Sequence, residues 1–158
     1  KENIELFERH GVYNSAEINC RADISLENYS KTIHIEALTL LEMVKRDVIP
    51  SISAYEGELC NTVCKKRSVS DKINCDAEIE VIEKLATFNE HLNRLVKELE
   101  TAVDKSQATT DLLARAQTYC NKVLFIMDNI RHITDEAETV VSREYWPYPT
   151  YGDILFKI

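Results

Sequence analysis

Four histidines, five cysteines and 27 carboxylates are the side chains of this sequence best suited to do chemistry. A di-metal carboxylate centre in a helical protein takes Glu-x-x-His, because a three-residue step sets both ligands on one inward face. None of His10, His34, His91 and His132 has Glu or Asp three residues before it, so that spacing is not met. His132 and Glu136 share a helical face at i, i+4, which reads as a solvated pair rather than two metal ligands. Cys60 and Cys64 also stand at i, i+4, with Cys75 across the following loop; joined by His10 or another donor they would make a thiolate zinc site. Structural zinc sites usually draw ligands from tight Cys-x-x-Cys knuckles, and Cys-x-x-x-Cys reads as ordinary thiols. Gly11, Gly57 and Gly152 stand alone, so no glycine-rich turn is offered to a phosphate. The acidic residues are spread along amphipathic segments, as solvated helix faces are. The expectation is therefore no catalytic, cofactor-binding or metal-binding residue within the chain.

The elements that would have to position such groups are helices. Only three glycines and three prolines punctuate 158 residues, while Glu, Leu, Lys, Ala and Ile are plentiful, a balance that favours long helices and an all-α fold. A chain of this size forms one ordinary domain. After a short apolar lead with Ile4, Leu6 and Phe7, Gly11 breaks the pattern and Ser15 offers an N-cap, with Glu17 placed for the positive end of a helix. Apolar positions Ile33, Ala37, Leu40 or Leu41, Val44, Val48, Ile52, Tyr55, Leu59 and Val63 then step by three or four along one stripe. Pro50 falls inside it and predicts a kink or break near Val48 to Ile49.

From Lys65 to Asn74 the sequence is polar and aperiodic, which predicts a surface loop. Asn74 or Asp76 then caps a second helix with the stripe Ile79, Ile82, Ala86, Leu92, Val96, Leu99 and Val103. Asp104 to Thr110 predicts a turn. A third helix carries Leu113, Ala116, Cys120, Val123 or Leu124, Met127, Ile130, Ala137 and Val141 before Trp146-Pro147 ends it. Three long helices with short joints predict an antiparallel bundle, the second and third rods being roughly 40 and 50 Å long. A rod of this kind lacks the concave geometry in which catalytic groups gather, which points to support or assembly.

The net charge of -8 argues against a nucleic-acid partner or an acidic membrane, since phosphate binding needs concentrated Lys and Arg. No run of about 18 apolar residues is present and no secretion signal is read, so the expected location is the cytoplasm. The odd count of cysteines, at Cys20, Cys60, Cys64, Cys75 and Cys120, reads as reduced thiols. The chain begins at Lys1, in mid-pattern, as a piece of something longer would.

The end of the chain differs in kind. Arg143 to Phe156, REYWPYPTYGDILF, holds the only Trp, two of the three prolines and three of the seven tyrosines. The prolines of Trp146-Pro147-Tyr148-Pro149 fix an extended path, so the rings are presented with little ordering entropy left to lose. Tyr145, Trp146, Pro147, Tyr148, Pro149, Tyr151 and Phe156 are thus the candidate packing or docking residues. They either fold back on the bundle and close its core, or dock on a neighbouring domain or subunit.

Two stretches carry a family resemblance. EYWPYPTYGDILF, Glu144 to Phe156, resembles the C-terminal signature of type III glutamine synthetases. LENYSKTIHIEALTLLEMVKRDVIPSISAY, Leu26 to Tyr55, is similar to the segment that follows that family's catalytic core, typically LENYCKTIxIEAxTMxxMxxxDIxPA. Ser30 stands where the family often has Cys, and Tyr148 where it often has Phe. The resemblance implies a parent enzyme that makes glutamine from glutamate, ammonia and ATP through a γ-glutamyl phosphate, with divalent Mg or Mn. It also implies an upstream catalytic domain and a homo-oligomer, commonly a dodecamer of two stacked hexameric rings. The family's metal ligands, phosphate-binding arginines and nucleotide site lie upstream of Lys1, so none maps onto these residues. On this reading residues 1–14 lead in from the catalytic domain, 15–143 form the helical bundle and 144–158 the extended strap, a unit silent alone and serving packing and assembly. A free-standing helical adaptor that only binds proteins is the alternative.

Overall fold

The computed structural model describes residues 2–149 and 151–156, and leaves the side chains of residues 2, 3 and 151 outside that description. The described residues are helical, with no strand among them. Helix α1 spans Glu2–Arg9, and Gly11 at φ +62° ends it while the Val12 N–H reaches back to the Phe7 carbonyl at 3.0 Å, the left-handed C-terminal turn that glycine supplies without strain. Helix α2 is Ser15–Met43 and α3 is Ile49–Val69, joined without interruption by a π-helical turn, Val44–Val48. Helix α4 is Asp76–Ala108. The last long helical stretch consists of α5, Leu112–Thr118, a second π-helical turn, Tyr119–Val123, and α6, Leu124–Val140. A short helix α7, Tyr151–Phe156, closes the chain.

Local chemistry explains the boundaries. The N-cap of α2 is Asn14, one residue before the expected Ser15. Its Oδ1 accepts from the Glu17 N–H at 2.9 Å while Glu17 Oε2 accepts from the Asn14 N–H at 2.8 Å, a reciprocal capping box that satisfies two orphan donors. The Ser15 N–H is taken instead by Glu8 Oε1 at 2.8 Å, which ties α1 to α2. At α4, Asn74 Oδ1 accepts from the Asp76 N–H at 2.6 Å, and Asp76 and Glu78 set negative charge in the first turn. Asp111 caps α5 through the Ala114 N–H at 2.7 Å.

Two predicted loops are partly helix. α3 runs on to Val69, so the first half of the Lys65–Asn74 stretch continues the rod, and Lys66 pairs with Glu78 across the short joint. α4 likewise runs through Asp104 to Ala108. Ser106 is fully buried there, its Oγ donating to the Ala102 carbonyl at 2.7 Å, so a polar residue is satisfied inside the helix and does not end it.

Pro50 does not break the rod either. It sits in the first turn of α3, where the π-helical turn has already altered the ladder: the Ile49 N–H bonds to the Val44 carbonyl, five residues back. A proline without an N–H is tolerated where the hydrogen-bond register is already changing. The helical path from Ser15 to Val69 is thus continuous, roughly 80 Å at 1.5 Å per residue.

One core joins the long stretches. Ile33, Ala37, Leu41, Val44, Val48 and Ile52 line it from α2, the first π turn and α3; Leu85, Leu92, Leu95, Val96, Leu99 and Val103 from α4; Tyr119, Val123, Ile126, Ile130 and Ala137 from the last stretch. Each fully buried Leu or Ile contributes about 1.5–3 kcal/mol over leaving it in water. Within α4, Leu85 is buried where Ala86 is expected, and Ala86 is exposed. On the last stretch Tyr119 is buried in place of Cys120, Ile126 is buried with Met127 packed half-buried beside it, and Leu113 is exposed. The buried positions Ala116, Tyr119, Val123, Ile126 and Ile130 keep steps of three and four through the π turn, the spacing of one helical face. Across the helices, Lys45 pairs with Glu100, the Asn89 Nδ2 donates to Ser53 Oγ at 3.2 Å, and Lys66 pairs with Glu78.

Candidate functional site

The residues after α6 fold back on the rods. Val141 is extended, and the Tyr145 and Trp146 N–H groups both donate to the Ser142 carbonyl, at 2.9 and 3.1 Å. That tight turn carries Trp146 into the core, where it is 9% exposed. Tyr145 lies against Tyr55 of α3, ring centroids 5.5 Å apart and tilted by 42°. Three residues on, the Tyr148 hydroxyl donates to Asp47 Oδ2 in the first π turn at 2.7 Å. Pro147 and Pro149 are exposed and hold the backbone between these contacts.

The segment is not extended throughout. The turn just described and helix α7 bracket the proline stretch, because ring-fixed dihedrals end at Pro149 and Tyr-Gly-Asp-Ile-Leu-Phe is free to coil. Arg143 pairs with Asp153 of α7. Ile154, Leu155 and Phe156 are 64%, 71% and 79% exposed. The candidate residues therefore divide: Tyr145, Trp146 and Tyr148 reach the rods, Phe156 faces away, and the side chain of Tyr151 lies outside the described residues.

Electrostatics mark the same contacts. The Tyr148 hydroxyl is pushed up to about 12, first by burial and then by its bond to the Asp47 carboxylate, both of which favour the neutral phenol. Burial also raises Tyr119, whose hydroxyl lies 3.1 Å from His34 Nδ1. Tyr29 is raised by a hydrogen bond with Cys120 and by burial.

The groups tested first for metal chemistry do not gather. His132 and Glu136 are exposed on α6. Cys60 and Cys64 are exposed on α3, whereas Cys75 is buried with its Sγ 3.6 Å from the Ile73 carbonyl. All five thiols are free. Among the described residues no group of three His, Cys, Asp or Glu side chains is placed to hold a metal ion, and no helix is long and apolar enough to cross a membrane.

Sequence reasoning missed the partners Asp47, Tyr55 and Arg143. A signal for the first two was present: both lie in the Leu26–Tyr55 stretch, and the two stretches that carry the family resemblance meet in space at Tyr148–Asp47 and Tyr145–Tyr55. A family model described as the glutamine synthetase C-terminal domain matches residues 1–67. Over 157 residues, 99% of the chain, the sequence is 38% identical to a glutamine synthetase of Butyrivibrio fibrisolvens, covering 22% of that protein. The chain is thus similar to glutamine synthetases along nearly its whole length, and its first 67 residues to their C-terminal domain. A type-3 glutamine synthetase of Dictyostelium discoideum is 24% identical over 172 residues, with 99% of the chain and 22% of that relative covered. A glutamine synthetase of Bacteroides fragilis (strain YCH46) is 23% identical over 150 residues, with 92% of the chain and 20% of the relative covered. The chain thus spans about a fifth of the length of these glutamine synthetases. Likeness along the whole chain to glutamine synthetases does not favour a free-standing adaptor.

Proposed function

We propose that this chain is the helical C-terminal unit of a type III glutamine synthetase, an ATP-dependent glutamate–ammonia ligase of the cytoplasm, and that it serves packing and assembly of that enzyme. The observation that carries the reading is similarity over 99% of the chain to a fifth of two glutamine synthetases, one of them called type-3. ATP and a divalent Mg or Mn ion belong, on this reading, to a catalytic domain upstream of Lys1. The described residues offer no three-ligand cluster to such an ion.

The unit divides into a lead-in at 1–14, a three-rod antiparallel bundle at 15–143 and a docking strap at 144–158. The antiparallel arrangement is supported by the pairs Lys45–Glu100, Ser53–Asn89 and Lys66–Glu78, in which numbers rise along one rod as they fall along the other. Docking is supported by the exposed Ile154, Leu155 and Phe156, an apolar end that water does not favour. The surface it meets belongs to the upstream catalytic domain or to another subunit of a homo-oligomer, a dodecamer of two hexameric rings in the type III pattern.

The test is the full-length parent with and without this unit. Intact protein is expected to form glutamine from glutamate, ammonia and ATP and to sediment as a large oligomer. The shortened protein is expected to sediment as smaller species. An unchanged oligomer after removal refutes the assembly role, and γ-glutamyl transfer by the 158-residue chain alone at the parent's rate refutes its catalytic silence.

A further inference from the structure

A cavity of about 300 Å³ opens between the first π turn with the end of α2 on one side and α6 on the other. Its apolar wall is made of Leu40, Met43, Val44, Val48, Leu124 and Met127. Val44 and Val48 belong to the first π turn, and Leu124 directly follows the second. π-Helical turns recur at functional sites because they re-aim side chains and open the helix surface. Both methionines of the chain stand in this wall, and unbranched thioethers adapt to ligands of irregular shape. The volume is that of a small-molecule site, at the lower end of the usual range.

The polar groups at the mouth decide what fits. The Tyr148 hydroxyl donates to Asp47 at 2.7 Å and the Thr134 hydroxyl to the Ile130 carbonyl at 2.9 Å, so neither proton is left for a ligand and each oxygen can only accept. What remains is two carboxylates, Asp128 and Asp135, and one guanidinium, Arg131, whose Nε stands 3.7 Å from Asp135 Oδ2. Asp128 has no ion pair among the described residues. The mouth is therefore net negative over an apolar interior.

We propose that this cavity is a binding site for a small organic cation, a compact apolar or aromatic body carrying one ammonium group. The body displaces water from the Met43 and Met127 wall, and the ammonium lies at the mouth against Asp128 and Asp135. Tyr148 is shared between this wall and the strap, so an occupied cavity also braces the segment that leads to α7.

The experiment uses the full-length protein with ¹³C-methyl methionine, the Met43 and Met127 signals being assigned by their loss in M43L and M127L. Three probes share one body: phenylbutylamine, butylbenzene and phenylbutyrate. The amine is expected to shift both methyl signals saturably and to bind more tightly than the other two. The double variant D128N/D135N is expected to weaken the amine about three- to tenfold and to leave butylbenzene unchanged, which also shows that the cavity is still folded. Shifts absent with all three probes, as when another part of the full-length protein fills the space, overturn the proposal. So do equal binding of amine and carboxylate, and an amine affinity that D128N/D135N does not change.

Discussion

The Tyr148 hydroxyl meets the Asp47 carboxylate at 2.7 Å across 101 positions of sequence. This one contact pins the proline stretch to the π turn of the longest rod. A bond to an ionised acceptor is worth more than a neutral one, so Tyr148→Phe is expected to cost about 1–2 kcal/mol, read as a lowered urea midpoint at pH 7.

The same pair sets an alkaline limit. Tyr148 is held at about 12 against its ordinary 10.0. A phenol is neutral when protonated, and the folded state prefers that form, so the contribution is complete below pH 10. It is lost progressively as pH rises from 10 towards 12. Denaturant titrations across that range are expected to show stability falling in the natural sequence with a slope that Tyr148→Phe reduces. Equal slopes would mean that the phenol ionises as freely in the folded chain as in the unfolded one.

Trp146 separates packing from hydrogen bonding. Its ring is 9% exposed, and Nε1 has no hydrogen-bond partner among the described residues. Trp146→Ala is expected to cost about 3–5 kcal/mol. Trp146→Phe gives up no hydrogen bond and is expected to retain much more of the stability, so the two melting temperatures should be well apart.

How far the sequence disclosed this arrangement is clearest at the rods. Ile33 to Ile52 and Leu92 to Val103 followed the helical period, and their burial agrees. Sequence reading was undecided at two places, Leu40 or Leu41 and Val123 or Leu124, and both adjoin π turns. There both neighbours turn towards the core: Leu41 is buried with Leu40 packed beside it, and Val123 is buried with Leu124 packed beside it. The helices outrun the ends that polarity suggests at Lys65 and Asp104, because Ser106 and Lys66 find partners within or across the helices. Trp146 and Tyr148 could be singled out by type, but Asp47 and Tyr55 were fixed as their partners only by three-dimensional packing.

The cap of α2 offers a local test. Asn14→Ala removes the acceptor for the Glu17 N–H and is expected to cost about 1 kcal/mol of helix stability. Amide exchange should accelerate in the first turn after Asn14 and stay unchanged in α4.

The apolar end of α7 should behave differently from the anchored part. Leu155→Glu with Phe156→Glu alters side chains that are 71% and 79% exposed, so the melting temperature of the 158-residue chain is expected to stay within the range of ordinary surface substitutions. In the full-length parent the same pair is expected to reduce the oligomer seen by light scattering. An intact oligomer would remove α7 from the assembly contacts.

A helix that accommodates a surplus residue in Val44–Val48 has an arithmetic that point substitutions leave untouched. Deleting a single position there would let the backbone relax to an ordinary α ladder with Ile52 still turned to the interior, because the widened turn already takes up the extra residue. Deleting a position in the regular part of α2 or α3, where no widened turn holds slack, would swing everything downstream by about 100°. The harm done by one lost codon therefore depends on where along the rod it falls.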